Sequence, residues 1–434
     1  MILTPQLIDQ GRRNFLRAMA GVPPLVAFGA AAAWRGPISG GPVRAALIGP
    51  GNQGKVLLGQ CDKEFIEIQA VCDINPTHRK QAVDSLSARG VTARGYEDWR
   101  EMLEKEPQLE AVVIATPLWT HADITVGCLE AGKHVLCEKM MAHDMEGARR
   151  MIEAARRNNR VLEIGHNRFY SPAYLAAYEH VMKPGLIGDI YHVRLVYHRN
   201  QAWRRDFKKP SPDYDPSKWG YPTWEHLANW RMYRKYSQGL AAELGSHQVS
   251  TTNHYFNAAP TAVVGSGGIH RYKDGREVND HVYAIFEYPG GRTATFSSIQ
   301  SNKLEHFYEQ FMGTKGTLII KGETDVLLFS EEEGQAPTGV DVSRRTSDAV
   351  ADASESRSAD AAGRTVQQAA PGQGPNDDRL AMYKLEIAGF CSTIRTGTPL
   401  KCTPEQGLIT TKAILAANQA IDTKMRVEIK PETT

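Results

Sequence analysis

Two short stretches hold side chains able to polarise an oxygen and move a proton. In the first, His134-Val-Leu-Cys-Glu-Lys139, a lysine directly follows an apolar run. Set in a cleft at the end of a buried strand, an ammonium can hold a hydroxyl and lower its pKa. At an open strand end it is an ordinary surface charge. In the second, Gly239-Leu-Ala-Ala-Glu-Leu-Gly-Ser-His-Gln248, Glu243 and His247 stand at i and i+4. On an α-helix that spacing puts both on one face, where the carboxylate can orient the imidazole and raise its basicity. The same spacing also serves a histidine that merely satisfies hydrogen bonds in a core. Together, Lys139 and His247 would supply what a carbinol needs to lose a hydride and a proton.

Such chemistry requires a hydride carrier, and residues 43–54 read as its cradle. The apolar run Ala45 to Ile48 leads into Gly49-Pro-Gly-Asn-Gln-Gly54, a G-x-G-x-x-G between a strand and a helix-like stretch. Gly49 makes the tight turn, Gly51 lets the backbone approach a pyrophosphate, and Gly54 lets the helix pack close to the strand. Asn52 and Gln53 open that helix, where free N–H groups and the dipole favour negative charge. A second strand, Ile66-Glu-Ile-Gln-Ala-Val-Cys-Asp73, ends in an acid roughly 20 residues beyond the turn, the position that binds ribose hydroxyls. Asp73 repels a 2′-phosphate, so the pattern predicts NAD rather than NADP.

From Val43 to about Gly165, strand and helix signals alternate. Glu110-Ala-Val-Val-Ile-Ala115 is a continuous apolar run, the mark of a parallel strand buried on both faces. It ends in Thr116-Pro117-Leu-Trp-Thr-His121, where a helix starts. Six strands with helical crossovers predict a doubly wound sheet, which binds ligands beyond its strands' C-terminal ends. Thr116, Pro117, His121, Glu138 and Lys139 lie at such ends and are cofactor candidates. Beyond Gly165 comes a helix from Pro172, a long strand to His198, and several short alternating strands between Ala262 and Ile320. These predict a mostly antiparallel sheet with one face covered. Between them Trp203, Trp219, Trp224 and Trp230 occupy a tract without period. The tract suits a loop lining a sugar-sized pocket, indole faces stacking on pyranose C–H surfaces. It equally suits a loop pinned to the core by its aromatics. Two helices, Asp378 to Arg395 and Pro404 to Asp422, and a strand at Arg426 to Lys430 close the chain. The expected class is α/β: an N-terminal Rossmann doubly wound parallel sheet (41–166) plus a C-terminal α+β domain with a mostly antiparallel open sheet (167–330, completed by 377–434).

The 434 residues are 41% apolar and 23% charged, with a formal net charge of +2. That balance offers no basic stripe for nucleic acid, and no apolar run is long enough to span a membrane. There is no C-x-x-C and no His/Cys cluster with zinc spacing, so no metal is expected. Cys72 and Cys137 fall on buried strands as small apolar residues, while Cys391 and Cys402 could pair in an oxidising compartment. Residues 1–40 read as an export signal. Arg12-Arg13-Asn-Phe-Leu16 precedes a mildly apolar, small-residue stretch from Ala18 to Ala33, the pattern of the twin-arginine route to the periplasm. The alternative is a disordered basic tail. Residues 331–376, nearly all Ser, Ala, Asp, Glu, Gly and Gln, are predicted to form a disordered insert.

Taken together, G-x-G-x-x-G, Ala-Val-Cys-Asp73, Ala115-Thr-Pro-x-x-x-His121, Gly-Lys-His-Val-Leu-Cys-Glu138-Lys139 and Glu243-x-Gly-x-His247 resemble the glucose–fructose oxidoreductase / inositol dehydrogenase / rhizopine catabolism (Gfo/Idh/MocA) family. The resemblance covers about residues 43–325 and resumes in Phe390 to Thr398 and the final helix. It implies an NAD(P)-dependent oxidoreductase of sugars or polyols, a homo-oligomer whose active-site lysine is Lys139. An Asp-x-Gly-x-His motif, here Glu243 and His247, faces that lysine. His166-Asn-Arg-Phe-Tyr170 resembles the stretch that reaches over the nicotinamide, which makes Asn167 and Arg168 cofactor candidates. Two positions depart from the family pattern. Met140 replaces the usual proline, next to a peptide bond often cis, and Glu243 is one methylene longer than the usual aspartate. The family also includes N-acetylgalactosaminidases, some with twin-arginine signals, that oxidise C3 transiently, eliminate the aglycone, add water and reduce the sugar again. Their Asn-x-Tyr-Pro-Thr-His-like segment is not found here. A non-catalytic binding protein that kept the fold is the third alternative, and the intact fingerprint with Lys139 and His247 argues against it. An exported member meets no free NAD, so it must keep its cofactor bound and regenerate it within the cycle.

Overall fold

The computed structural model describes residues 3–20, 40–331 and 375–432. Its helices are α1 (Pro5–Ala20), α2 (Asn52–Gln60), α3 (Pro76–Ala88), α4 (Trp99–Lys105), α5 (His121–Glu130), α6 (Met145–Arg157), α7 (Pro172–Ala177), α8 (Trp224–Ala228), α9 (Ser246–Phe256), α10 (Pro375–Thr396) and α11 (Pro404–Thr423). The first sheet has six strands, β1 (Val43–Ile48), β2 (Ile66–Cys72), β3 (Arg94–Tyr96), β4 (Ala111–Ile114), β5 (His134–Glu138) and β6 (Leu162–Gly165). They pair in parallel in the order β3-β2-β1-β4-β5-β6. Ala111–Ile114 is buried at every position, as a continuous apolar run between two helical layers must be. The strand order reverses between β1 and β4, which opens a crevice at their C-terminal ends. Short polar residues start the helices that flank it. Asn75 caps α3 through Thr77 N–H, with Pro76 as first residue, and Asp144 caps α6 through Gly147 N–H.

The second sheet has eight strands: β7 (Ile190–His198), β8 (Ala262–Gly268), β9 (His281–Glu287), β10 (Thr293–Ile299), β11 (Phe307–Gly313), β12 (Gly316–Lys321), β13 (Asp325–Ser330) and β14 (Val427–Glu428). Their order is β13-β12-β11-β7-β10-β9-β8-β14, and only β7 and β10 run parallel. One face packs on α9 and α11 through Val249, Phe256, Phe286, Phe296, Ile414 and Ile421. The other leaves Tyr191, Tyr283 and Ile285 exposed.

Both sheets match the expected class, and the departures lie at the edges. Strand β13 was not anticipated, because Asp325 to Ser330 carries no clear alternation until β12 pairs with it. Residues 1–40, expected as a signal, contain helix α1 packed on β13. Phe15 of α1 is buried, and Arg12 donates to Asp325 Oδ1 at 2.8 Å. Residues 21–39 of that segment, and nearly all of the expected insert (332–374), lie outside the described residues. Cys391 and Cys402 are both buried and both free. Helix α10 packs on α2, and its Arg395 grips Glu110 at 2.7 Å, which clamps the C-terminal segment onto the first sheet.

Candidate active site

A cleft of about 550 Å³ opens where the first sheet reverses its strand order. It runs from the turn after β1, past the ends of β4 and β5, to α9 and the loops of the second sheet. Its nucleotide half is shaped by backbone. Gly49 has φ +86°, and a Cβ there would stand 2.8 Å from the Ala115 carbonyl. At Gly54 a Cβ would lie 2.2 Å from the Gly49 oxygen, so only glycine lets α2 start against the turn. Gly51 faces open space and gives α2 no side-chain cap. The first N–H groups of the helix, at Asn52 and Gln53, are thus left for an anion.

Asp73 follows β2 on the same wall. Its Oδ1 accepts from Asn75 N–H at 2.8 Å, and Oδ2 faces His78 Nδ1 at 3.3 Å. Tyr214, from the tryptophan tract, closes this end by donating to the Ile74 carbonyl at 3.0 Å. Open space over Gly51, uncapped helix N–H groups and an acid at the ribose position fit a dinucleotide. Thr116 and Pro117 border the centre of the cleft beside His121. The His121 ring lies between two carbonyl oxygens, Nδ1 at 2.9 Å from Met140 and Nε2 at 3.0 Å from Thr116. One imidazole thereby ties the exit of β4 to the exit of β5. Burial pushes its pKa below the ordinary value in spite of both carbonyls.

The chemical half is built from side chains. Glu138 Oε1 accepts from Gln53 Nε2 at 2.6 Å and Oε2 from Lys139 N–H at 3.1 Å, so the carboxylate braces the turn against the lysine. Burial raises its pKa. Lys139 Nζ donates to the Glu243 carbonyl oxygen at 2.8 Å, and burial lowers its pKa. The Lys139–Met140 peptide is cis although no proline stands there.

Glu243 does not pair with His247 as the i,i+4 spacing led us to expect. Ala241–Gly245 form a π-helical turn that runs into α9, and both residues line the cleft. The Glu243 carboxylate accepts instead from Arg231 Nε at 2.7 Å. Burial would raise its pKa, but Arg231 and Lys139 outweigh that and hold it low. His247 stands half-buried near the start of α9 on the cleft wall, its Nδ1 without a partner among the described residues. Burial, then the charge of Lys139, push its pKa well below the ordinary value and keep the ring neutral.

Asn167 and Arg168 are placed elsewhere than the family resemblance implied. Neither lines the cleft. Arg168 is fully buried, and all three guanidinium nitrogens are engaged, one by Glu309 and two by Glu323. Glu323 accepts in turn from Arg379 of α10 at 2.8 Å. Arg168 therefore locks the second sheet to α10, away from the cleft lining. Asn167 is buried beside it.

All four tryptophans of the tract line the cleft, and Trp203 also packs in the core. Trp119 donates to the Tyr221 hydroxyl at 2.7 Å and clasps the two halves together. Sequence reading missed Arg231, and it placed Trp119 at a strand end without its Tyr221 partner. Neither sits in a pattern that assigns it a partner, although both lie beside residues that were singled out.

Residues 43–166 match the model of an oxidoreductase family with an NAD-binding Rossmann fold, and residues 175–319 match the GFO/IDH/MocA C-terminal domain. The chain belongs to the Gfo/Idh/MocA oxidoreductase family. Like that family's N-terminal domain, this one takes NAD. Among similar proteins, a glycosyl hydrolase family 109 protein of Stenotrophomonas maltophilia is 26% identical over 280 residues, 60% of each chain. The inositol 2-dehydrogenase of Salmonella paratyphi B is 29% identical over 178 residues, 40% of this chain and 51% of that one. The chain thus spans little more than half the length of these relatives. The WlbA dehydrogenase of Bordetella pertussis, solved with NADH and UDP-GlcNAcA, aligns with a TM-score of 0.66 at 17% identity, over 90% of this chain and 100% of that one. That likeness concerns the Gfo/Idh/MocA fold alone.

Proposed function

We propose an NAD-dependent oxidoreductase that moves a hydride between a sugar or polyol carbinol carbon and a tightly bound nicotinamide. One observation carries this reading. Lys139, from the first sheet, and His247, from a helix on the second, line the same cleft as the uncapped pyrophosphate turn. NAD held there supplies the hydride acceptor. Lys139 donates a hydrogen bond to the carbinol oxygen and stabilises the developing alkoxide. His247, kept neutral by burial and by the charge of Lys139, takes the hydroxyl proton. Glu243 holds Lys139 through its main-chain oxygen and Arg231 through its carboxylate, which makes it a positioning residue.

A second reading, glycoside cleavage by transient oxidation, is favoured by the glycosyl hydrolase relative, which aligns over more of this chain than the inositol dehydrogenase does. Tyr221-Pro222-Thr223 shares three residues with that group's segment, but Trp219 and Trp224 stand in place of its asparagine and histidine. Export to the periplasm belongs to our reading and rests on Arg12-Arg13 and the small-residue stretch that follows. So does a homo-oligomer, supported by the exposed Tyr191, Tyr283 and Ile285 on the open sheet. Light scattering tests the latter, and mass spectrometry of a periplasmic extract the former. The central test incubates purified protein with a sugar and glycoside panel and no added nucleotide. Oxidised and reduced sugars from a pair of substrates support the first reading, and released aglycone the second. If no nucleotide co-purifies and every product needs stoichiometric NAD, the bound-cofactor cycle is wrong.

A further inference from the structure

The chemical half of the cleft holds more positive charge than the protein neutralises. Nearby arginines show what pairing looks like here. Arg204 meets Glu225 at 2.6 Å, Arg234 meets Asp422 at 2.8 Å, Arg276 meets Asp274 at 2.8 Å, and Arg231 meets Glu243 at 2.7 Å. Two arginines of the cleft wall break that pattern. Arg199, just past β7, donates to the Tyr197 hydroxyl at 2.8 Å and stands over that ring at 4.7 Å, both neutral partners. Among the described residues Arg205 has only the Phe207 ring, at 5.6 Å, against its guanidinium. Among the described residues neither forms an ion pair with a carboxylate.

Arg205 is also held in place. Its N–H donates to Asn229 Oδ1 at 2.6 Å and its carbonyl accepts from Asn229 Nδ2 at 3.1 Å. These bonds fix the loop backbone at Arg205, and its half-buried side chain lines the cleft. Burial and the neighbouring Arg231 push the Arg205 pKa down, the electrostatic sign of a cation short of a partner. The acid that could have served, Glu243, is already taken by Arg231. A partly desolvated cation without a counter-charge is costly, and a planar guanidinium is shaped for a two-oxygen anion.

We infer that the substrate is an anionic sugar, whose carboxylate or phosphate is bound by Arg199 and Arg205 while its carbinol is presented to Lys139 and His247. This rests on the oxidoreductase reading for the carbinol end only. The anion end makes its own claim on binding.

The test compares neutral sugars and polyols with uronic or aldonic acids and with sugar phosphates. Binding is measured by calorimetry on the NAD-loaded protein, and turnover by nicotinamide absorbance. One anionic class should bind about a hundredfold more tightly than its neutral counterpart, because losing the anion leaves buried cations unpaired. The acid and phosphate arms say which oxyanion it is. Arg205→Gln should weaken binding of that class tenfold or more, about the loss of one charge-assisted pair, and raise KM more than it lowers kcat. Affinity for neutral sugars should fall far less than affinity for the anionic class, and Arg205→Lys should recover part of the loss. Arg199→Gln serves as the second variant should the Arg205 loop misfold. Equal affinity for neutral and charged sugars, or equal losses for both in Arg205→Gln, would overturn the inference. If anionic sugars bind through Arg205 yet no sugar is ever oxidised, the oxidoreductase reading falls and the anion site stands.

Discussion

On the nucleotide side of the cleft the decisive atoms belong to the backbone: the Gly49 turn, the bare Gly51, and the first N–H groups of α2. On the chemical side they are side chains that arrive from far apart. Lys139 and Glu243 meet across 104 residues of sequence, and Trp119 and Tyr221 across 102. The first half is specified by what is missing, since a Cβ at Gly49 or Gly54 would strike main-chain atoms. The second is specified by charge, with Arg231 steering the Glu243 carboxylate while its carbonyl holds Lys139. A dinucleotide is the same in every such domain, so a fixed backbone suits it. Substrates differ, and side chains on loops can be exchanged without disturbing the turn.

If the halves are separable, a change in one should leave the other's readout alone. The largest effect is expected on the chemical side. Lys139→Ala and His247→Ala should each lower kcat by roughly 10²–10⁴, the scale for losing a positioned acid–base group. NAD affinity, measured by calorimetry, should stay near wild type, because neither side chain hydrogen-bonds the turn. A parallel loss of NAD affinity would show that the halves are one unit.

A pair of alanine changes probes the backbone side. At Gly51 a Cβ meets nothing within 4 Å, so Gly51→Ala should keep the wild-type melting temperature. It should nonetheless lower NAD affinity by about tenfold or more, since the added methyl occupies the approach to the pyrophosphate. At Gly54 the Cβ would meet the Gly49 oxygen at 2.2 Å, so Gly54→Ala should cost about 1–3 kcal/mol of stability by overpacking. Similar melting temperatures for the two variants would refute this division of roles.

The same contrast explains what could be read in the sequence. The turn, Asp73 and the buried strands were legible because each depends on neighbours close in the chain: glycine spacing, an apolar run, an acid at a strand end. Lys139 and His247 were visible as residues, but their geometry was not. Glu243 and His247 share the cleft without pairing because Arg231 claims the Glu243 carboxylate, a partner that spacing along one helix does not announce. Arg168 shows the opposite error. It sits beside a strand end, as a cofactor contact should, yet Glu309 and Glu323 claim it from segments that no local pattern connects.

Behind both halves lies a layer of acids that serves neither directly. Glu163 on β6 is fully buried. Its Oε1 accepts from Tyr170 at 2.5 Å, and its Oε2 has no partner among the described residues. Glu386 of α10 is buried as well, with one oxygen likewise unpartnered. Burial raises the Glu163 pKa from 4.5 to about 8, with the Tyr170 hydrogen bond and Lys401 opposing. The folded chain thus keeps a proton that the unfolded chain releases near pH 4.5. The stability this supplies is complete below that pH and is lost as pH rises to about 8, at up to about 1.4 kcal/mol per pH unit. Glu163→Gln, neutral at every pH and nearly isosteric, should remove that slope. Urea unfolding from about pH 5 to 8 should show a flatter profile for the variant, more stable than wild type by about 1 kcal/mol or more at the alkaline end. Its kcat should be unchanged, since Glu163 does not line the cleft. Parallel stability profiles would mean that Glu163 is ionised in the fold, and a fall in kcat would move this acid layer into the chemical half.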